Sequence, residues 1–516
     1  MQTDAPEAMT DTQKRILLVV LVPLFMSLLS VSIVNVVLPA LQGSLGASTT
    51  ALQWVLTGYT LSFGMVLVAA GRAGDLFGPG RIFFVGLVLF ALGSLGAGLA
   101  PDPLFLNIAR VVMGFGSGLL SPPTVGLIQQ YFRGGQRARA FGAFGSVVGV
   151  SVAIGPVLGG VFIALLGDAW GWRVAFLVNV PIAIAAMITA FVWFPRSAWF
   201  PFPSETPGGQ AVAPTAGATE AGAGGTAGAR GTSAGSGASA AASGRKARPD
   251  FDPIGTVILA AATLAVMMPF LERSAGAWIY ALLPVGVVLV VVWVWWESRY
   301  KRRGGTPMVD LVLFRTRSFA NGALLVALYF MGATSIWVIL ALYMQSGHGM
   351  SALAVGLIGL PSAIASAVSA MASGRYVMRI GRPLVLLGVV VAVLGMASSI
   401  LVIVLFEHGR ASIWWLLLTL TFIGLAQGMV ISPNQTLTLV KVPIAYAGSA
   451  GGIMQTGQRV GTAIGIAVIS ALFFVVQGHA GWGAGIVYAY VAVAAIMVLA
   501  GIVGFVDWRQ GRRADH

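Results

Sequence analysis

The sequence predicts an all-α polytopic membrane protein with 14 transmembrane helices, arranged as two six-helix bundles with two helices inserted between them. Composition gives the first reason: 57% of the 516 residues are hydrophobic and 9% are charged, whereas about a quarter of a soluble domain is charged. Apolar runs of membrane-spanning length give the second reason. Two pairs of similar short stretches, with one member of each pair in each half of the chain, give the third reason and indicate parallel repeats.

Each predicted span is an apolar run of about 18 residues or more, which is enough to cross a hydrocarbon core of roughly 30 Å. The first run follows Lys14 and Arg15 and is too long for a signal-peptide core, so it is predicted to remain as the first span. The 14 runs lie near residues 16–41, 53–71, 82–100, 104–131, 140–166, 173–194, 253–271, 277–296, 318–345, 352–373, 383–406, 412–437, 450–476 and 484–507.

Basic residues fall on alternate connections between the predicted spans. With the N-terminus in the cytoplasm, 25 of the 30 Lys and Arg residues lie on cytoplasmic connections, as the positive-inside rule requires. Both termini are therefore predicted to be cytoplasmic, in the plasma (inner) membrane. The net charge of +14 is then a topology signal, and no nucleic-acid partner is predicted.

The runs divide the chain into four segments. They are an N-terminal six-helix bundle over 1–195, a linker over 196–250, two extra transmembrane helices over 251–300 and a C-terminal six-helix bundle over 301–516. The linker is rich in Gly, Ala, Ser and Thr and has nothing to bury, so it is predicted to be disordered. Deletion of residues 205–245 is expected to leave folding and transport intact.

Two short echoes relate the bundles. The stretch GRAGDLFGPGR begins at Gly71, and GRYVMRIGR begins 303 residues later at Gly374. The stretches GSGLLSPP, from Gly116, and AQGMVISPN, from Ala426, are related by offsets of 310 to 311. The agreement in spacing and helix order favours two parallel six-helix repeats, a common build for secondary transporters.

These motifs resemble the major facilitator superfamily, and within it the fourteen-helix branch of drug:proton antiporters. The matching stretches are Gly71 to Gly78, Arg110 to Gly114, Gly142 with Gly155-Pro156 and Gly159-Gly160, Trp172-Arg173 through Pro181, and Ile33 to Pro39. The resemblance implies a secondary exporter of small hydrophobic or amphiphilic molecules, driven by a proton gradient through alternating access, with no cofactor. No G-x-x-x-x-G-K-[ST] loop is present, so ATP is not the predicted energy source.

Gating and hinge roles are predicted for two glycine-rich stretches. The gating residues are Gly71, Arg72, Asp75, Gly78 and Arg81, where glycines let helix ends approach and Asp75 can meet a helix N-terminus or an arginine of the other half. The hinge residues are Gly155, Pro156, Gly159 and Gly160. A plain positive-inside turn and a tight helix contact are the respective alternatives.

Polar and aromatic residues within the spans are the predicted substrate contacts. They are Ser30, Asn35, Trp54, Tyr59, Arg110, Asn434, Gln435, Gln455, Gln458 and Arg459. Arg110 and Arg459 are the only ionised side chains expected inside spans, and intramembrane arginines usually face a bundle interior. The alternatives are snorkelling of Arg110 to the surface, hydrogen bonding of the serines between helices, and aromatic side chains at the lipid interface.

The sequence departs from the family at Ser30. The family often has L-D-x-T in the first helix, and this chain has Leu29-Ser30-Val31-Ser32. All 16 acids lie outside the predicted hydrocarbon cores, so no carboxylate is predicted to carry protons at mid-membrane. The alternative function is therefore export of an anionic or neutral metabolite or lipid with atypical coupling.

Two rival classes remain at this stage. A membrane enzyme acting on lipid-linked substrates would need acids or histidines clustered in an external loop, whereas the predicted external loops are short and the four histidines are scattered. A passive channel is separated from a transporter by a test of uphill transport. The chain is predicted to be a monomer, not an enzyme, with a small-molecule substrate, the lipid bilayer around it and no bound metal.

Overall fold

The fold is described from a computed structural model, which describes residues 8–201, 251–272 and 276–514. Over these residues the chain forms helices and connecting turns, with no β-strand. The α-helices are α1 (Asp11–Ser32), α2 (Val34–Leu45), α3 (Thr49–Phe77), α4 (Pro79–Gly98), α5 (Pro103–Tyr131), α6 (Gly134–Leu177), α7 (Asn179–Trp193), α8 (Pro253–Leu271), α9 (Leu282–Arg302), α10 (Arg317–Ala341), α11 (Ala352–Ile380), α12 (Arg382–Glu407), α13 (Leu416–Leu439) and α14 (Ala447–Ala514).

Ordinary capping residues begin several of these helices. Thr10 forms a capping box with Gln13 ahead of α1. Ser48, Asp102 and Ser351 each accept a hydrogen bond from a backbone N–H in the first turn of α3, α5 and α11. Proline occupies the first turn of α4, α5, α8 and α12, where its missing N–H costs nothing.

The described residues contain 12 helices that are long and apolar enough to cross a membrane. Two of them, Gly134–Trp193 and Ile444–Arg512, have 60 and 69 residues, or about 90 and 100 Å if they were straight. Each contains a glycine with a left-handed backbone, with φ +71° at Gly167 and +85° at Gly481. Side chains strongly disfavour these angles, and glycine does not.

The chain reverses direction at both glycines. A Cβ on Gly171 would lie 2.7 Å from the Cα of Ile163, although eight residues of straight helix span about 12 Å. Past the second glycine, the rings of Phe473 and Trp482 lie 5.9 Å apart between centroids. We call residues 447–480 the first arm of α14 and residues 482–514 its second arm.

Helices α1 to α7 form one bundle, the N half, and α10 to α14 form a second, the C half. The core of the N half includes Phe83, Phe90 and Trp172. The core of the C half includes Tyr329 and Tyr490. The first predicted span, 16–41, is divided between α1 and α2 at Ile33.

The two extra helices form a hairpin beside the junction of the halves. Helix α8 packs against both α3 and α14, and its Met267 lies with Leu61 of α3 and Ala463 of α14 in one apolar cluster. Helix α9 packs against α8 and exposes most of its valines. A valine-rich exposed face suits lipid contact.

One end of the bundle collects most of the basic residues, and we call it the basic end. Here α3, α5, α9 and α11 end and α4, α6, α12 and α14 begin. The predicted loops at this end are wrong in extent, because α3 continues through Phe77 and α11 through Ile380. Gly71, Asp75 and Gly374 are therefore helical, and the glycines serve close approach between helices.

Most of the predicted linker, residues 202–250, lies outside the described residues, as does the predicted deletion of 205–245. Its first residues, Arg196–Trp199, form a 3-10 helix. This short helix lies against the start of α4, because a Cβ on Gly80 would be 2.8 Å from the carbonyl oxygen of Ala198.

Candidate functional site

Tyr59 lies at the centre of the N half and is fully buried. Its hydroxyl donates to the carbonyl oxygen of Ser27 at 2.8 Å and lies 2.5 Å from Ser117 Oγ. These bonds connect α3 to α1 and α5. Tyr59, a predicted substrate contact, therefore has its polar end satisfied within the protein and presents its ring to its neighbours.

Arg110 is buried beside Tyr59 and does not snorkel to a surface. Its guanidinium carbon lies 4.2 Å from the centroid of the Tyr59 ring and 5.6 Å from that of Phe176. Its Nε donates to the carbonyl oxygen of Val55 at 2.9 Å, and Nη1 lies 3.5 Å from Met113 Sδ. The charge is fixed by aromatic faces and a carbonyl, which are the partners a buried cation needs.

Arg459 lies on the first arm of α14, at the junction between the halves. Its guanidinium carbon is 4.2 Å from the centroid of Phe63, and the Phe63 ring is 6.1 Å from Tyr59. Among the described residues it has no hydrogen-bond or ion-pair partner, and its side chain is partly exposed. Because all five guanidinium N–H groups are donors, this side chain can bind an acceptor from outside the protein.

Gln455 lies one helical turn from Arg459 on the same face of α14. It is buried, and its Nε2 has no partner among the described residues; neither does Oγ1 of the adjacent Thr456. Gln458 is partly buried beside them. Trp54, also partly buried, packs against the cluster of Leu61, Met267 and Ala463 near the same junction. These residues and Phe63 form a polar and aromatic group around Arg459.

Asn434, a predicted substrate contact, bonds within the C half and not to Arg459. Asn434 Oδ1 accepts from Arg382 at 2.5 Å, and its Nδ2 donates to the carbonyl oxygen of Gly322 at 2.9 Å. Arg382 also pairs with Asp507 at 2.5 Å. This network joins α10, α12, α13 and α14 within the C half. Gln435 is buried nearby on α13, and its Oε1 has no described partner.

The polar residues of the first span bond between helices rather than line an open space. Ser30 Oγ accepts from Asn179 Nδ2 at 3.2 Å, and Ser32 Oγ donates to the carbonyl oxygen of Ser151 at 3.1 Å. Asn35 is exposed at the start of α2, and its amide donates to the carbonyl oxygen of Val31 in the last turn of α1. The predicted cavity position of Ser30 is therefore taken by a contact between α1 and α7.

The predicted hinge packs against the break between α1 and α2. A Cβ on Gly155 would overlap Ser32 Oγ, and one on Gly159 would lie 3.1 Å from Ile33 Cγ1. At Gly160 a Cβ would meet no described atom within 4 Å. Pro156 lies inside α6, where it removes one helical hydrogen bond. The geometry is that of a close helix contact, and a hinge role stays a prediction.

Asp75 joins the two halves at the basic end. Its carboxylate accepts from the backbone N–H of Gly448 at 2.8 Å and of Ser449 at 2.9 Å, and from Ser449 Oγ at 2.5 Å. These groups are the first turn of α14, where unpaired N–H groups and the helix dipole favour an anion. A Cβ on Gly71 would collide with the carbonyl oxygen of Gly448. We call these four residues the latch contact.

The other predicted gating residues lie around the latch contact. Arg72 is buried, with its charge near that of Asp75, and its Nε has no described hydrogen-bond partner. Gly78 has φ +101°, and a Cβ there would lie 2.6 Å from the carbonyl oxygen of Trp199. Arg81 lies over the Phe200 ring at 4.9 Å. Gly78 and Arg81 thus contact the segment after α7, not the C half.

A second contact joins the halves between α6 and α11. A Cβ on Gly374 would lie 2.6 Å from the carbonyl oxygen of Ala138, and one on Gly142 would lie 2.9 Å from that of Ala370. Ser146 Oγ donates to the carbonyl oxygen of Ala367 at 2.7 Å. We call these residues the glycine contact. Over the described residues, no group of three His, Asp or Glu side chains is placed to hold a metal ion.

The sequence interpretation missed Phe63 and Asn179, and it did not identify the start of α14 as the helix N-terminus that Asp75 meets. Phe63 is one aromatic residue in an apolar helix, and nothing in the sequence distinguishes it. Asn179 belongs to a stretch noted for its family resemblance, but its partner Ser30 is 149 residues away. The repeat could have indicated Gly448, because it follows Ala138 of the glycine contact by 310 residues, an offset that also relates the second pair of similar stretches.

Comparison with known proteins places these features in a family. Residues 20–466 match the Major Facilitator Superfamily. The chain is 30% identical, over 88% of its length and 71% of the relative's, to a probable actinorhodin transporter of Streptomyces coelicolor. It is 28% identical, over 90% of its length and 76% of the relative's, to the multidrug resistance protein Stp of Mycobacterium tuberculosis.

A solved structure agrees with the fold. The human organic anion transporter MFSD10 aligns with a TM-score of 0.64, over 96% of this chain and 100% of that one, at 14% identity. At this identity the likeness supports the arrangement of the helices alone.

Proposed function

Because this chain belongs to the Major Facilitator Superfamily, we propose that it is a secondary exporter that moves small amphiphilic molecules out of the cell by alternating access of its N and C halves. It is a multi-pass membrane transporter and not an enzyme, as the family and its relatives are transport proteins. The names of two relatives, an actinorhodin transporter and a multidrug resistance protein, support export of organic compounds.

The observation that carries the proposal is the separable junction between the halves. At the basic end the halves meet through the latch contact and the glycine contact, which consist of backbone approaches and a few hydrogen bonds. Apolar side chains also cross the junction, since Ala450 and Met454 of α14 belong to the cluster that fills the N half and Ala138 of α6 packs with Val377 and Leu384. These crossing side chains are few beside those buried within each bundle, so the halves can separate without unfolding. Rocking of two halves about a central site is the usual form of alternating access.

Four further features belong to this proposal. Each long hairpin counts as two spans, which gives the fourteen-helix arrangement. The basic end faces the cytoplasm, because the positive-inside rule places Lys and Arg there, with both termini on that side of the plasma membrane. The protein works as a monomer. Its energy comes from an ion gradient, with protons as the coupling ion.

A second candidate substrate class is favoured by Arg459. Its guanidinium has free donors, lies over Phe63 and is partly exposed. No described carboxylate offsets its charge, and Arg110 nearby adds a second one. A site of this charge favours compounds with an anionic or acceptor group over permanent cations.

The experiment is uptake into proteoliposomes with an acidic lumen. An exporter that exchanges protons for substrate accumulates a compound above its outside concentration, and a protonophore abolishes the accumulation. The probes are matched aromatic amphiphiles, one quaternary cation, one non-titrating neutral compound and one sulfonate. Equilibration of the probe without accumulation would indicate a channel. Uptake no faster than in protein-free liposomes would contradict the proposed transport function.

The same assay tests the substrate class through Arg459→Gln. Loss of the charge is expected to reduce sulfonate transport by about tenfold or more, since a charged hydrogen bond contributes roughly 1.5 to 3 kcal/mol, and to change cation transport little. Restoring the family's carboxylate by Ser30→Asp would not test the substrate class, because Ser30 contacts Asn179. Equal loss for all three probes would mean that Arg459 supports the fold rather than the substrate.

A further inference from the structure

A pair of carboxylates lies at the basic end of the inserted hairpin, outside the site described above. Asp252 caps the start of α8 and Glu297 lies near the end of α9, and both are almost completely buried. They are neighbours, because a Cβ on Gly255 would collide with Asp252 Oδ2 and lie 3.1 Å from Glu297 Oε1. Two close carboxylates in a buried place do not both stay ionised.

The surroundings decide which of the two acids carries the charge. Asp252 accepts from the backbone N–H of Gly255 at 3.0 Å and from Trp296 Nε1 at 3.0 Å, as an ionised helix cap does. Glu297 is 1% exposed, and the backbone N–H groups of Met308 and Val309 face its carboxyl group without reaching normal hydrogen-bond geometry. The indole N–H of Trp293 faces the same carboxyl group. These three donors favour the ionised form of Glu297, whereas its burial and the charge of Asp252 favour the neutral form.

Neighbouring charged groups do not neutralise Glu297. On α9, Arg299 lies over the Trp295 ring at 5.5 Å, and Lys301 pairs with Asp310 at 2.8 Å. On α3, Arg72 and Asp75 belong to the latch region, and on α14 Arg459 lies over Phe63. The charged side chain that acts on Glu297 is Asp252, whose negative charge opposes a second one.

The residues that cover Glu297 also touch the junction of the halves. Trp293, Met308 and Val309 form an apolar cluster with Val68 of α3, and Ile453 of α14 packs against it. Val68 lies two helical turns from Asp75, and Ile453 lies one turn from Ser449. The cover of Glu297 is thus built on the same two helices that the latch contact joins.

We propose that Glu297 is a proton-binding site, which holds a proton next to Asp252 while the basic end is closed and releases it to water when α3 and α14 separate. This inference rests on the proposed alternating access of the halves. By linkage, raising the pH on the basic side favours the open state. In the closed state Glu297 is stable only as the neutral acid, whereas in the open state water stabilises its ionised form.

The sign of this effect separates Glu297 from Asp75. Asp75 holds the latch contact as a carboxylate, so its protonation would open the basic end at low pH. Glu297 holds its cover closed as a neutral acid, so its deprotonation opens the basic end at high pH. The direction of the pH response therefore identifies the responsible group.

The test uses the full-length protein in nanodiscs and needs no substrate or gradient. The chain has no cysteine, so a single introduced cysteine is the only labelling site. Ala450→Cys is buried on α14 beside the latch contact, and its labelling rate therefore reports opening of this contact. The rate is divided by that of a denatured sample at the same pH. Labelling is expected to rise severalfold between pH 6 and pH 9, and Glu297→Gln is expected to stay slow throughout. Asp310→Asn, which removes the charge that pairs with Lys301, is the matched control and keeps the rise.

A second readout does not depend on opening. Infrared spectra of the wild type at neutral pH are expected to contain the C=O stretching band of a protonated carboxyl that Glu297→Gln lacks, and Asp252→Asn is expected to shift the rise in labelling to lower pH. If Glu297→Gln folds poorly, Asp252→Asn alone carries the test. An unchanged infrared band, or an unchanged pH response in both variants, would overturn the inference. Export by a protein that fails these tests would leave the proposed function standing.

Discussion

The latch contact and the glycine contact share a backbone geometry. Gly374 follows Gly71 by 303 residues, and Gly448 follows Ala138 by 310. In each contact the glycine of one half lies against the carbonyl oxygen near the start of a helix of the other half, so that an added Cβ would overlap it or lie 2.6 Å from it. The second turn repeats the pattern, with Gly452 against Leu67 and Gly142 against Ala370.

The two contacts differ in charge. Asp75 sits on the first turn of α14, while the residue 303 positions later is Met378, which is 45% exposed. The glycine contact has instead the neutral bond from Ser146 to Ala367. The two repeats therefore share the close approach of two helices, whereas the carboxylate of Asp75 is present only in the latch contact. Steric variants should affect the two contacts alike, and electrostatic variants should not.

The largest effect is expected from a side chain at the close approach. Gly71→Ala and Gly374→Ala should each lower transport by about tenfold or more, because overpacking costs roughly 1 to 3 kcal/mol and holds the halves apart. Gly356→Ala on α11 is the control, since a Cβ there would meet no described atom within 4 Å. Transport rates in proteoliposomes at equal protein loading give the comparison. A normal rate for one glycine variant alone would break the proposed equivalence.

The next effect is expected from Asp75→Asn. The amide keeps one acceptor but loses the charge on the helix terminus, a change of about 1 to 2 kcal/mol, or roughly 5- to 30-fold in the closed-to-open ratio. Transport should slow while binding of the transported probe stays within about twofold, because Asp75 touches no substrate contact. Binding measured by intrinsic tryptophan fluorescence provides the check. An equal loss of affinity would argue against a gating role.

A smaller effect is expected from Ser146→Ala. The variant removes the bond to Ala367 at 2.7 Å, so the glycine contact should weaken by about 1 kcal/mol, or roughly fivefold. The readout is labelling of Ala370→Cys, which is buried in this contact. Ser399→Ala serves for comparison, because Ser399 bonds to Thr419 within the C half. Equal labelling in both serine variants would remove Ser146 from the junction.

Much of the fold could be predicted from the sequence because lipid requires long apolar helices. Apolar runs indicated nearly every helix, and glycines indicated the close contacts. The exact ends were less predictable: α3 runs through Asp75 because its glycines tolerate a helix beside Gly448, and that partner lies 373 residues away.

The candidate site was less predictable because a polar side chain in a span is placed by its partner. Ser30 bonds to Asn179, and Asn434 bonds to Arg382. The sequence around each residue does not indicate which partner it will have. Arg110 and Arg459 were predicted as buried charges from their cost in lipid alone. The fold gives Arg110 a hydrogen bond to Val55 and the ring of Tyr59, but it gives Arg459 only the ring of Phe63. The sequence does not show this difference in partners.

The most direct test of the difference between the two contacts is labelling of two buried cysteines in matched variants. Asp75→Asn is combined with Ala450→Cys at the latch contact, and Met378→Asn with Ala370→Cys at the glycine contact. Labelling of Ala450→Cys is expected to rise about 5- to 30-fold with Asp75→Asn, and labelling of Ala370→Cys is expected to stay unchanged with Met378→Asn. Equal responses at the two positions, or no response at Ala450→Cys, would contradict the account of an electrostatic latch on one contact only.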